Sequence, residues 1–66
     1  MYKGKFLVPS VEHQGDIDYF SNIIRNAGGE ILREDWSGEE DDYAIIFYQC
    51  GSSLELTRII DALEDA

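Results

Sequence analysis

A chain of 66 residues lies near the lower size limit for a domain held by a hydrophobic core, and its 44% hydrophobic content suffices for one thin core. Its net charge of −9, from 14 acidic and 5 basic residues, excludes ordinary binding to nucleic acid or anionic lipid, because both need Lys and Arg. Cys50 is the single cysteine, which excludes an internal disulfide and a thiolate metal site. The sequence contains no secretory signal and no membrane-spanning stretch. We therefore expect a complete, short cytoplasmic product that forms one domain over residues 1–66.

The first half of the chain predicts a strand followed by a helix. Lys5 to Val8 predicts strand one, and Pro9 favours a sheet edge or a strand end because it cannot donate to a ladder. Asp16 is the predicted N-cap of helix one, and Gly28-Gly29 ends that helix because glycine accepts the conformation of a C-terminal cap. The apolar face of helix one recurs at helical spacing and consists of Ile17, Phe20, Ile23, Ile24 and Ala27.

The second half predicts two strands and a second helix. Glu30 to Trp36 is strand two, which alternates imperfectly, and Ser37-Gly38 is the turn signal. Tyr43 to Cys50 is strand three, and its unbroken apolar sequence suits a central strand contacted on both faces. Ser52, with Glu55 three residues later, predicts a capping box at helix two. The apolar face of helix two consists of Leu56, Ile59, Ile60 and Leu63.

The predicted architecture is an α+β fold of order β-α-β-β-α. Strand three takes the middle of a three-stranded antiparallel sheet and both helices cover one face, as in a ferredoxin-like plait that lacks its last strand. The far face of the sheet stays open, and side chains of Tyr43, Ile45 and Phe47, or their alternates, are partly exposed there. An exposed patch of that kind predicts a dimer or partner surface.

Most of the carboxylates lie where they contribute little to the stability of the local structure. Asp16, Asp18 and Glu55 are at predicted helix amino ends, where the helix dipole favours them. The acidic residues of the hairpin repel one another, and no basic residue lies beside them. The acidic residues at the carboxyl end of helix two are opposed by the helix dipole, and only Arg58 is near enough to offset one of them, Asp61. This pattern indicates a negative surface for a basic partner, and its alternative is a solvated loop that resists aggregation. The two clusters are Glu34, Asp35, Glu39, Glu40, Asp41 and Asp42 in the hairpin, and Asp61, Glu64 and Asp65 at the end of helix two.

No catalytic or metal-binding motif competes with these clusters. Ser10, His13 and Cys50 lack nucleophile–base spacing, so we expect neither an enzyme nor a cofactor. The hairpin departs from the Asp-x-Asp-x-Asp-Gly calcium loop, and binding of calcium or magnesium stays a minor alternative. Trp36, beside the acidic residues, either covers the end of the sheet or anchors an interface.

Two family resemblances follow from these segments. Phe6 to Val8, the run Ala27-Gly28-Gly29-Glu30-Ile31 and the apolar strand from Tyr43 resemble the first half of a BRCT domain, without its remaining strand and tryptophan-bearing last helix. The whole chain also resembles small acidic phage proteins of the anti-CRISPR group directed against type I systems. That resemblance covers size, the starting Met1, the single αβ domain and the carboxylates at 34–35, 39–42 and 61–65.

The second resemblance implies a DNA mimic. Proteins of that group commonly block the surface that reads the protospacer-adjacent motif, here the large subunit of a type I complex, and the carboxylates of this chain would stand in for phosphates. The leading hypothesis is a phage-encoded, DNA-mimicking inhibitor, monomeric or weakly dimeric, that occupies a basic nucleic-acid site on a host defence complex. The alternatives are a small interaction or dimerisation module that uses the open sheet face without DNA mimicry, and a calcium-binding module.

Overall fold

Three strands and two helices follow one another in the predicted β-α-β-β-α order, which confirms the α+β assignment. The computed structural model describes residues 1–36 and 43–66, and the predicted turn at Ser37-Gly38 lies outside these ranges. The elements are β1 (Tyr2–Val8), α1 (Gln14–Asn26), β2 (Glu30–Asp35), β3 (Ala44–Cys50) and α2 (Ser53–Glu64). No helix in the described ranges is long and apolar enough to cross a membrane.

The sheet is antiparallel throughout, with strand order β1-β3-β2, so β3 takes the predicted central position. Pro9 directly follows the edge strand β1, where its missing N–H removes no ladder bond. β1 begins at Tyr2 and not at the predicted Lys5. Gly4 lies inside the strand, opposite Tyr48, and a Cβ at Gly4 would lie 2.7 Å from the Tyr48 ring. Gly4 therefore makes room for a buried aromatic side chain and does not break the strand.

Alternation along β3 separates the core from the open face. Ala44, Ile46, Tyr48 and Cys50 are buried on the side that both helices cover, whereas Ile45, Phe47 and Gln49 between them are partly exposed. α1 and α2 each bury residues of their predicted apolar faces in this core, but Ile60 of the predicted α2 face is 43% exposed. These fully or nearly fully buried helix residues are Ile17, Ile24, Ile59 and Leu63.

β2 contains a bulge that shifts its register against β3 between Ile31 and Arg33. Ile31 lies opposite Tyr48 and Arg33 lies opposite Phe47, so the intervening Leu32 has no partner of its own. Residues before and after the bulge consequently follow different alternations, which is the physical reason for the imperfect pattern in the sequence. The large side chain of Leu32 is left 46% exposed.

The amino end of α1 differs from the prediction. The N-cap is His13 and not Asp16, because Nδ1 of the imidazole accepts a hydrogen bond from the Gly15 backbone amide at 3.0 Å. Asp16 occupies the third helical position and completes a capping box. Its Oδ2 accepts from the backbone amides of Glu12 at 2.9 Å and His13 at 3.3 Å. A histidine cap carries no standard N-cap signal, and the Asp16 carboxylate three residues later was mistaken for the cap.

We predict an acid-sensitive contribution of Asp16 to stability. The hydrogen bond from the Glu12 amide, helped by that from His13, outweighs desolvation and lowers the pKa of Asp16 below its ordinary value. A lowered pKa in the folded state means that the carboxylate stabilises the fold above its ordinary pKa, and that this contribution disappears as pH falls through the folded-state value. Urea unfolding of the wild type and of Asp16→Asn should therefore differ near neutral pH and converge in acid. A difference independent of pH would contradict this.

The predicted N-cap of α2 is confirmed, although its capping box is incomplete. The Glu55 backbone amide donates to Oγ of Ser52 at 3.2 Å. The Glu55 side chain does not return to the Ser52 backbone, because its Oε1 accepts from the Ser52 hydroxyl at 3.2 Å. The same carboxylate lies beside Gly28 (φ 102°), where a Cβ would lie 2.7 Å from its Oε2. The end of α1 thus meets the start of α2, and the two helices run antiparallel.

Replacing Ser52 with alanine should destabilise the fold by about 1 kcal/mol, because the Glu55 amide loses its acceptor at the helix end. Ser53→Ala is the matched control, since Ser53 is the exposed first residue of α2 and its side chain caps nothing. Urea unfolding at one pH measures both variants. Equal losses in the two variants would show that the Ser52 cap contributes nothing specific.

Candidate functional site

The topology brings the ends of several elements together at one end of the molecule. β1 ends where β3 begins, with Val8 opposite Ala44, and β2 also ends there, with Asp35 opposite Ile45. α1 starts from this end, and α2 returns to it after leaving the far end of β3 at Cys50. We call this region the acidic end because of the carboxylates that it collects. They are Glu12, Asp16, Asp18, Glu34, Asp35, Asp61, Glu64 and Asp65.

The second predicted cluster lies on the last turn of α2. Asp61, Glu64 and Asp65 are exposed, and Asp65 is the C-cap residue. Neighbours three or four apart on a helix have Cβ atoms about 5–6 Å apart, so these carboxylates form one tight group. Within the described part of the chain, the two ion pairs join other residues, and Arg58 makes none with Asp61. The cluster is therefore an uncompensated negative group at the negative end of the helix dipole.

The two hairpin carboxylates at 34 and 35 lie on opposite faces of the sheet. Glu34 faces the helices and is tied to α1, since its Oε2 accepts from Oγ of Ser21 at 2.5 Å and its Oε1 accepts from Nε2 of Gln14 at 3.3 Å. Ser21 is fully buried, and this bond satisfies its hydroxyl. Glu34 thus has a structural role that its place in an acidic run did not reveal.

Asp35 and Trp36 complete the described part of the hairpin cluster. Asp35 points to the open sheet face and pairs with Arg33, with 2.9 Å between Oδ2 and the guanidinium nitrogen. Arg33 in turn lies over the Phe47 ring, 4.5 Å from its centroid. Trp36 is partly buried and packs against the hydrophobic core, as expected for a residue that covers the end of the sheet. The remaining predicted residues, Glu39, Glu40, Asp41 and Asp42, lie outside the described residues.

Two exposed carboxylates at this end are not among the predicted site residues. Glu12 follows β1, and Asp18 is on the second turn of α1, where its Oδ1 accepts from Nε2 of Gln14 at 3.2 Å. In the sequence they are far from the α2 cluster. In the fold, Tyr19 and Asp65 line the same groove, which places the first turns of α1 beside the last turn of α2. The predicted β-α-β-β-α order contained this signal, because a helix that follows β3 must run back along it.

Charge is distributed unequally between the two sides of the described structure. The helical side and its loops carry eight carboxylates and two guanidinium groups, Arg25 and Arg58, a net charge of −6. On the open sheet face, register pairs Lys3 and Lys5 with Gln49 and Phe47. Three cations and two carboxylates give that face a net charge of +1, and they are Lys3, Lys5, Arg33, Glu30 and Asp35.

The side chains of Cys50, Tyr48 and His13 have packing or capping roles in the fold. Over residues 1–36 and 43–66, no three side chains of His, Cys, Asp or Glu form a group that could hold a metal ion. Cys50 is buried, and its Sγ contacts the Ser52 carbonyl oxygen at 3.5 Å. Burial, with a smaller effect of Cys50, raises the pKa of Tyr48. His13 caps α1, so these groups are accounted for by packing and capping.

No protein-family model, curated protein or solved structure matches this chain. Function must therefore be inferred from its own charge and geometry. The acidic end presents exposed carboxylates from two helices and the loop before α1, and such groups bind guanidinium and ammonium ions by charge-assisted hydrogen bonds.

Proposed function

We propose that this protein is a DNA-mimicking inhibitor whose acidic end occupies a basic nucleic-acid-recognition site on a host defence complex. The convergence of carboxylates from α1, β2 and α2 at one end of a chain of charge −9 is the observation that carries the proposal. The proposed target is the subunit of a type I CRISPR surveillance complex that reads the protospacer-adjacent motif. The protein would then be a phage product acting in the cytoplasm of the host bacterium.

The cluster on α2 has the features that such a site would use. Asp61, Glu64 and Asp65 are exposed and have no ion-pair partner among the described residues, so binding would break no internal ion pair. Lys and Arg side chains that normally grip phosphates would meet carboxylates a few ångströms apart. Complementary charge of this kind chiefly raises the association rate and the specificity.

Contact energy beyond charge is available beside this cluster. A shallow groove of about 440 Å³ lies between the helices, lined by Tyr19 and Ile23 of α1 and by Ala62 and Asp65 of the α2 end. Tyr19 is largely exposed. An arginine bound to Asp65 could lay its aliphatic stem in this groove, since long cationic side chains bury their stems along apolar surface.

The test is competition with DNA on a purified type I surveillance complex. The wild-type protein should reduce binding of duplex DNA that carries the recognition motif, and added NaCl should weaken this inhibition because the contacts are ionic. Asp61→Asn/Glu64→Gln/Asp65→Asn should weaken it at least about tenfold, by the loss of charge-assisted bonds. Glu64→Gln and Glu30→Gln form a matched pair, because both remove one exposed carboxylate and only Glu64 is at the acidic end.

We expect a clear loss of inhibition for Glu64→Gln and little change in inhibition for Glu30→Gln. If the wild-type protein leaves DNA binding unaffected, the complex is not the target. If both single variants lose inhibition equally, overall charge and not the acidic end governs binding. Circular dichroism of each variant checks that the fold persists.

A further inference from the structure

We propose that the open face of the sheet binds the same face of a second copy of this chain, forming a two-fold symmetric dimer. This inference is independent of the proposed function, because it concerns the side of the molecule that the helices do not cover. It follows from the apolar content, the charge and the register of the three strands.

The open face carries an apolar patch on β1 and β3. Leu7 on β1 is 56% exposed, and Ile45 and Phe47 on β3 are partly exposed beside it. Lys5, Leu7 and Ile45 also border a shallow depression on this face. A contiguous apolar patch rimmed by polar residues is typical of an interaction surface.

Charge favours a second copy as the occupant. The helical side has a net charge of −6, so two copies repel each other wherever those sides meet. The open face has a net charge of +1 and carries both signs. It is therefore the side of the described structure on which two copies approach with least repulsion.

The register selects one orientation of the dimer. Three rows cross the face, and they are Lys3–Gln49–Glu30, Lys5–Phe47–Arg33 and Leu7–Ile45–Asp35. A two-fold axis parallel to β3 places β1 of one copy over β2 of the other at the same height. Lys3 then lies over Glu30 of the second copy, twice per dimer. Gln49 donates to Oε2 of Glu30 at 2.8 Å and orients that carboxylate.

The competing orientation is less favourable. A two-fold axis perpendicular to the strands would place Lys5 over Lys5 and Arg33 over Arg33. In the preferred orientation Lys5 lies over Arg33, whose charge is already offset by Asp35 at 2.9 Å. In both orientations the central row brings the two Phe47 rings together, where aromatic contact adds to burial.

The size of the face predicts a weak dimer. Three strands spaced about 4.8 Å apart, each about 20 Å long, present an area smaller than a standard interface of about 800 Å² per partner. Two copies of charge −9 also repel at long range. Because salt screens this repulsion while burial of apolar surface persists, dimerisation should strengthen as NaCl is added. The proposed binding to a basic partner has the opposite salt dependence, which separates the two proposals.

Sedimentation equilibrium over a wide concentration range, at low and high NaCl, tests the dimer. Leu7→Glu should raise the dissociation constant at least about tenfold, because it buries a carboxylate in the interface. Leu54→Glu is the matched control, because Leu54 is 60% exposed on α2 and the substitution changes the net charge by the same amount. We expect it to change the dissociation constant by less than about twofold. A wild type that stays monomeric throughout, or equal effects of the two variants, would overturn the proposal.

The orientation has its own test on two exposed residues that do not form the core. Lys3→Glu and Glu30→Lys should each weaken the dimer, since each places like charges opposite one another. The double variant Lys3→Glu/Glu30→Lys should restore the dissociation constant to within about threefold of wild type, because the pair is reformed with the charges exchanged. A double variant as weak as the single variants would overturn the proposed orientation.

Discussion

Replacing Ile46 with alanine should bring the domain close to complete unfolding at room temperature. Ile46 is fully buried at the middle of the central strand, on the side that both helices cover. Truncation of a buried isoleucine to alanine typically costs about 2–5 kcal/mol, from lost transfer energy and the cavity left behind. A domain of this size rarely has more than about 3–5 kcal/mol in total. The predicted loss therefore equals most or all of the stability.

Ile45→Ala is the control for this experiment. It removes the same atoms from the next residue, but Ile45 lies on the open face and is only partly buried. Ile45→Ala should lower the free energy of unfolding by less than half as much as Ile46→Ala. Urea unfolding followed by the fluorescence of Trp36, the single tryptophan, measures both at low protein concentration. Equal losses would mean that the open face is as well packed as the core.

Adding one methyl group at Gly29 should destabilise the fold by about 1–3 kcal/mol or more. A Cβ at this position would lie 2.5 Å from Cγ2 of Ile24 and 2.9 Å from Cδ1 of Ile59. Both isoleucines are fully buried, one on each helix, so neither can move aside without disturbing the core. Gly29 is thus the place where the chain turns from α1 into β2 directly against the helix pair.

Gly51→Ala provides the comparison for Gly29→Ala. A Cβ at Gly51 meets only Oε1 of Glu55 at 3.3 Å, the end of a flexible side chain. We expect a change within about 0.5 kcal/mol, as for most substitutions away from packed features. Thermal unfolding by circular dichroism compares the variants. If Gly29→Ala were as stable as Gly51→Ala, the helix pair would be less tightly packed against this turn than the structure indicates.

The parts of the fold that depend on local pattern were predictable. The 3.6-residue spacing of the apolar positions predicted both helices, and the unbroken apolar run predicted β3 at the sheet centre. The start of β1 was not predictable, because Gly4 reads as a break until the ring of Tyr48 is placed over it. The His13 cap was missed because the capping signal depends on which atom happens to face the Gly15 amide.

The candidate site was predictable only in part. The α2 cluster is local, since helical spacing alone groups Asp61, Glu64 and Asp65. The separation of Glu34 from Asp35 is also a property of a strand, but which residue faces the helices depends on a tertiary feature, the bulge. The approach of the first turns of α1 to the α2 end, where Tyr19 and Asp65 line one groove, depends on the path of the chain through the whole sheet. Composition and spacing carry no information on either point, and only the predicted order of the elements implies the second.

The bulge in β2 has a consequence for how this protein can change by mutation. If Leu32 were paired in β2 without a bulge, regular alternation would turn Arg33 and Asp35 towards the helices and Glu34 towards the open face. A cation would then lie where Ser21 now meets a carboxylate, and the sheet face would lose both the guanidinium on Phe47 and its balancing Asp35. Deletion of Leu32, in contrast, would leave Ile31 and Arg33 opposite consecutive residues of β3, Tyr48 and Phe47, and would keep each charge on its present face. The bulge at Leu32, as much as the composition of β2, keeps the acidic side and the near-neutral side distinct.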